Sequence, residues 1–225
     1  MKKITVLYGY YGSGKTELAL NIALKQKERH EDVTLIDFDI VNPYFRSSEH
    51  ADMLRAKGIR VIAPWFANTQ VDIPSLPAEV YSAFSGGYAV FDCGGDPVGA
   101  TALGALKGRF DSMRSEVDAL YVVNTKRPFQ ENARRILFGL EQVQKSSRLC
   151  ADAFVLNANL GAETTGEELK EGYEIITELV SMTGIPLKFV SGTARALEFF
   201  GRQCPEYKGG VFKIDIYMRP EWMYT

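Results

Sequence analysis

The chain is poor in the residues that mark extracellular, metal-cluster and membrane proteins. Its 225 residues include three cysteines, Cys93, Cys150 and Cys204, with no C-x-x-C spacing among them. That excludes the usual zinc and iron–sulfur ligand patterns. Three scattered thiols suit a reducing compartment, so the expected location is the cytoplasm. No apolar run reaches the 18 residues that suggest a membrane-spanning helix. The two histidines, His30 and His50, have polar neighbours and read as surface residues. Neither sign of charge is in excess: 26 Lys and Arg against 28 Asp and Glu give a net charge of −2. A broad basic face for nucleic acid is therefore not expected. What is present is 46% hydrophobic and long enough for one sizeable core, a single domain over residues 1–225.

The most informative stretch is Gly9-Tyr10-Tyr11-Gly12-Ser13-Gly14-Lys15-Thr16, which fits G-x-x-x-x-G-K-[ST], the phosphate-binding loop or Walker A motif. Glycines let such a backbone curl around a polyphosphate with its N–H groups inward. The expected nucleotide contacts are Tyr11, Gly12, Ser13, Gly14, Lys15, Thr16 and Glu17. Lys15 would reach the β and γ phosphates and act in catalysis, and Thr16 would offer its hydroxyl to Mg²⁺. The context agrees. Ile4–Tyr8 is apolar and β-prone, and the segment after Thr16 is amphipathic at helical spacing.

Strand-like and helix-like segments alternate to the end of the chain. Strands are expected at Ile4–Tyr8, Val33–Asp37, Arg60–Ala63, Tyr88–Asp92, Ala119–Asn124, Ala153–Asn157, Leu187–Val190 and Val211–Tyr217. Helices are expected at Lys15–Arg29, Ser47–Lys57, Ala78–Phe84, Ala100–Lys107, Gln130–Lys145, Glu167–Met182 and Ala194–Phe200. This pattern predicts a three-layer α/β fold of the P-loop NTPase type, a mostly parallel twisted sheet of about 7–8 strands with helices on both faces. Ligands bind beyond the carboxyl ends of such strands, and the polar residues gather there. One strand ends in Asp37-Phe38-Asp39. These carboxylates would hold Mg²⁺ or its waters, and Asp39 would also orient the attacking water. Another ends in Asp92-Cys93-Gly94-Gly95, of Walker B form, with Asp92 on Mg²⁺ through water and Gly94 and Gly95 as a switch. Cys93 reads as packing. A third ends in Asn157-Ala158-Asn159, where Asn157 is the expected contact to the base. Guanine readout favours N-K-x-D, but Thr125-Lys126-Arg127-Pro128 carries Pro in the acidic place, so ATP is favoured over GTP.

Together these residues resemble the MinD/ParA-like ATPases of the wider CobQ/CobB/MinD/ParA group. The likeness rests on the loop, on Leu35-Ile36-Asp37-Phe38-Asp39-Ile40, on Val122-Val123-Asn124 and on Asn132–Leu137, and it covers roughly residues 1–160. The resemblance implies an ATP-dependent switch, homodimeric with ATP bound, that acts on a partner protein. The chain departs from that family at Tyr10, which stands where the family has a second lysine reaching the facing subunit's γ phosphate. Its C-terminus reads as a strand and tail around Pro220, not as a basic membrane helix.

Three readings stay open at this point. The first is a cytosolic Mg-ATP switch with slow or partner-stimulated hydrolysis. The second is an ATP-dependent ligase or kinase like dethiobiotin synthetase and the CobB-type amidases, with a small-molecule acceptor at Trp65–Asp72 or Gly94–Thr101. The third is a nucleotide-binding module without turnover. The Pro-rich loop from Pro64 to Pro77, with Trp65, Phe66 and Gln70, is a candidate cover for a substrate or partner.

Overall fold

The computed structural model describes residues 1–39, 50–63, 78–95, 97–160 and 164–218. Eight strands form one sheet: β1 (Ile4–Tyr8), β2 (Val33–Phe38), β3 (Arg60–Ile62), β4 (Tyr88–Cys93), β5 (Val117–Val123), β6 (Ala153–Leu156), β7 (Leu187–Gly192) and β8 (Gly210–Lys213). Their order is β3-β2-β4-β1-β5-β6-β7-β8, and every neighbouring pair is parallel. The helices are α1 (Lys15–Lys27), α2 (Ala51–Ala56), α3 (Ala78–Ser82), α4 (Pro97–Gly104), α5 (Lys107–Ser112), α6 (Ala133–Ser147), α7 (Gly166–Thr183) and α8 (Ala194–Gln203).

The strands read as continuous apolar runs because both faces of the sheet are covered. Ile4, Val6 and Tyr8 of β1 point into one core with Phe91, Phe110 and Ile136, while Leu7 points into the other with Leu18, Ile22 and Leu35. This period-2 division produces the three layers. Helix starts follow their local chemistry. The Asn132 side chain accepts the Arg135 N–H at α6. Thr165 and Glu168 form a reciprocal capping box at α7.

The expected helix Ala100–Lys107 is two helices, α4 and α5. The α4 helix ends at Gly104, where an added Cβ would stand 3.1 Å from the Ser146 carbonyl of α6, so a close helix–helix approach sets the break. The expected Ser47–Lys57 helix is seen from Ala51, with residues 47–49 outside the described set. The loop from Pro64 to Pro77, the Trp65–Asp72 acceptor candidate and the tail beyond residue 218 also lie outside it.

The chain enters the sheet at β1, builds outward to β3, returns to β4 and then builds the other half from β5. The reversal falls beside β1. That is the crevice where open parallel sheets place their ligands.

Candidate functional site

Several strand ends converge on the loop after β1. Gly14 caps α1 in the left-handed region at φ 84°, where an added Cβ would come within 2.3 Å of Asn157 Nδ2. Only glycine fits both constraints. The loop is held internally by the Ser13 N–H and the Lys15 ammonium, which both donate to the Tyr10 carbonyl at 3.2 and 3.1 Å. From the β6 side, Asn157 Nδ2 donates to the Ser13 carbonyl at 2.9 Å, and Ser191 Oγ on β7 donates to Asn157 Oδ1 at 2.8 Å. From the β5 side, Arg127 Nε donates to the Gly12 carbonyl at 3.0 Å.

Asn157 is 1% exposed, and its amide bonds the loop's own backbone. Asn159 is closer to the surface, tied to Asn124 by its backbone and to the Asn157 carbonyl by its amide. Arg127 is an anchor of the phosphate loop.

On the other side of β1 stand the carboxylates. Asp37 at the end of β2 is in register with Asp92 at the end of β4, and neighbouring strands lie only about 4.8 Å apart. Asp92 is 1% exposed, and its Oδ2 has no hydrogen-bond partner. Burial pushes its pKa up to about 7, with the charge of Asp37 adding to the rise. The Lys15 ammonium and the nearby Thr16 hydroxyl oppose it. A buried carboxylate with an unsatisfied oxygen is costly. A divalent cation bonded there would offset that cost, so the residues present fit Mg²⁺. Among the described residues no three His, Cys, Asp or Glu side chains converge as a self-sufficient metal cage. Mg²⁺ does not need one, since one or two carboxylates, substrate phosphates and waters complete its octahedron. Asp39 is half-buried beside the pair, its N–H 3.3 Å from Asp37 Oδ1. The Cys93 thiol is buried and its pKa raised by that burial, which fits packing and not nucleophilic chemistry.

Gly94 and Gly95 follow Asp92 onto the loop. A Cβ on Gly95 would lie 2.6 Å from the Tyr11 nitrogen and 2.8 Å from Lys15 Nζ. Gly95 therefore lies against the two groups that would sense a terminal phosphate. Among the described residues, the buried side-chain polar atoms without a partner are Ser13 Oγ, Asp92 Oδ2, Thr125 Oγ1 and Gln130 Nε2. They sit in this loop, at the end of β4 or beyond the end of β5. His30 lies elsewhere, stacked on Tyr88 with ring centroids 3.6 Å apart.

Tyr10 turns toward its own chain, with its ring centroid 6.1 Å from that of Phe129, while Tyr11 is 59% exposed. Lys126 is ion-paired with Glu171. The Glu17 carboxylate accepts the N–H groups of Tyr217 at 2.7 Å and Met218 at 3.0 Å. Its side chain thus binds the C-terminal segment. Nothing in the spacing announces a contact between residues 200 apart.

No protein-family model matches the chain, and no curated protein matches it. Solved structures do. The cell division protein FtsY of Thermotoga maritima superposes with a TM-score of 0.56 at 16% identity, over 87% of this chain and 63% of that one. Chloroplast FtsY of Physcomitrella patens gives 0.57 at 16% identity, over 87% and 60%. The signal recognition particle 54 kDa protein of Aeropyrum pernix, solved in complex with GDP, gives 0.56 at 19% identity, over 89% and 46%. The chain thus spans less than two thirds of the length of the proteins it resembles. At such identities the likeness carries the fold and no more: this is an α/β sheet with a P-loop NTPase-like arrangement.

Proposed function

We propose that the chain is a Mg²⁺-dependent nucleoside triphosphate switch that binds ATP and hydrolyses it slowly unless a partner assists. The observation that carries this reading is the buried Asp92 carboxylate, unsatisfied at Oδ2 and in register with Asp37, on the strand beside β1 and its intact phosphate loop. Backbone amides of Gly12 to Thr16 and the positive end of α1 would hold the phosphates. Lys15 would neutralise the β and γ oxygens. Thr16, Asp92 and Asp37 would hold Mg²⁺, which supplies charge stabilisation to the transferring phosphoryl group. Asp39 would orient the attacking water, and Gly94 and Gly95 would follow the terminal phosphate.

Adenine is favoured by Pro128, which stands where guanine readout needs an acidic acceptor. The GDP bound to the Aeropyrum pernix protein favours the second reading, a guanine nucleotide. Calorimetric titration of the wild type with Mg-ATP and Mg-GTP decides between them. The account expects at least tenfold preference for ATP, and equal or reversed affinity would favour the second reading.

The resemblance to MinD/ParA ATPases implies a homodimer facing across the loops, and exposed Tyr11 and Phe129 support a partner at this mouth. Tyr10 is neutral and turned inward, so slow unassisted turnover is expected. Catalysis in trans by a cation can be worth about 10³–10⁵ in rate. A ligase or kinase role needs an acceptor, and phosphate release that appears only with an added metabolite would favour it.

A further inference from the structure

From the contacts between α1 and the segment after β8, we infer that residues 214–218 form a strap whose docking is thermodynamically linked to nucleotide binding, with Glu17 and Asn21 as its positioning residues. This rests on the nucleotide reading above and adds a second moving part to it.

The backbone of an edge strand needs partners once its ladder ends. β8 ends at Lys213, and from there the chain leaves the sheet and crosses α1. Its polar groups are then met by side chains. Asn21 Nδ2 donates to the Asp215 carbonyl at 2.9 Å, and the Asp215 N–H returns a bond to Asn21 Oδ1 at 2.8 Å. Four residues earlier on the same helical face, the Glu17 carboxylate takes the N–H groups of Tyr217 and Met218. Ile214, Tyr217 and Met218 pack on the core beneath α1. A carboxylate shared by two backbone donors is the charge-assisted, stronger kind of hydrogen bond.

The position of Glu17 gives the strap its consequence. It follows Thr16 directly, in the first turn of α1. That turn is held by the strap through Glu17, and the loop leading into it is held by the Asn157 amide on the Ser13 carbonyl. The same turn provides the amides that would receive the phosphates. A nucleotide that fixes this turn fixes Glu17, and a released strap frees it. Because coupling of this kind is reciprocal, each event shifts the other by the same factor, typically 5–150-fold. The segment 214–218 would thus report at the surface whether the loop is occupied.

The test is amide hydrogen exchange of Tyr217 and Met218 in the full chain, with and without saturating Mg-ATP, alongside titration of Glu17→Gln, Glu17→Ala and Asn21→Ala. The expected result is at least about fivefold slower exchange of both amides with nucleotide. Asn21→Ala, one turn away from the loop, should weaken nucleotide binding by a similar factor, and Glu17→Gln, which keeps one acceptor oxygen, by less than Glu17→Ala. A merely structural tail would exchange at the same rate with and without nucleotide. That result, in a wild type that binds nucleotide, overturns this inference alone, and it does so whether or not the variants fold. A wild type that binds no nucleotide overturns the functional reading and the strap's coupling with it.

Discussion

Asp92 has a pKa that rises on folding, so its effect on stability has a definite sign. An isolated Asp titrates near about 3.9, whereas this one is pushed up to about 7 by burial and by Asp37. The folded protein holds a proton that the unfolded chain has released. Its contribution is therefore fully present below about pH 4 and lost as pH rises through about 7. Asp92→Asn should raise the melting temperature of the nucleotide-free protein at pH 8 by at least roughly 2–4 °C, the equivalent of about 1 kcal/mol at this size. The gain should shrink on going to pH 5. The same variant should lose Mg-dependent nucleotide affinity. Scanning fluorimetry at both pH values checks the first point, and a lower melting temperature at pH 8 would refute it. Gly95 permits a second residue-scale test. An alanine there must displace the Tyr11 backbone or the Lys15 ammonium, and overpacking of this kind costs about 1–3 kcal/mol. Gly95→Ala should weaken triphosphate binding about tenfold in a titration. Unchanged affinity would mean that the 94–95 segment stands clear of the nucleotide.

At the scale of elements, β6 and β7 support the loop through one amide. Asn157→Ala would remove the side-chain donor to the Ser13 carbonyl in a buried place and leave the Ser191 hydroxyl only its bond to the Leu156 carbonyl. Stability should fall by about 1–3 kcal/mol, and nucleotide affinity should fall with it as the loop loses its outer support. Denaturant unfolding and titration of one preparation would show both losses, and a loss of neither would remove Asn157 from the loop's scaffold. Much at this scale was legible in advance. The six inner strands lie where apolar runs place them, because strands buried on both faces write a continuous signal. The exceptions have local causes. β5 begins at Val117, earlier than its apolar run, because the buried carboxylate of Asp118 is met by the Lys2 N–H at 2.8 Å and the Lys188 ammonium at 2.9 Å. β8 stops at Lys213, before its alternation does, because α1 takes over its backbone groups. The loop, Asp37, Asp92 and Gly95 were legible because their chemistry is local and spaced by the fold. The anchors Asn157, Arg127 and Ser191 and the strap on Glu17 were not, because they depend on which strand ends meet.

For the whole molecule, the strand order puts charge on both sides of β1, with carboxylates toward β4 and β2 and amides and Arg127 toward β5 and β6. A polyphosphate across the loop would have its metal end on the first side and its nucleoside on the second. Among the described residues no helix is long and apolar enough to cross a membrane. The central claim is that this crevice seats a Mg-nucleoside triphosphate on Lys15. Calorimetric titration of Mg-ATP into the wild type and Lys15→Ala tests it most directly. Removing one partner of a desolvated charge pair costs about 2–5 kcal/mol, so the account predicts saturable wild-type binding and a loss of at least about 30-fold in the variant. Affinity in the variant within threefold of the wild type would contradict it.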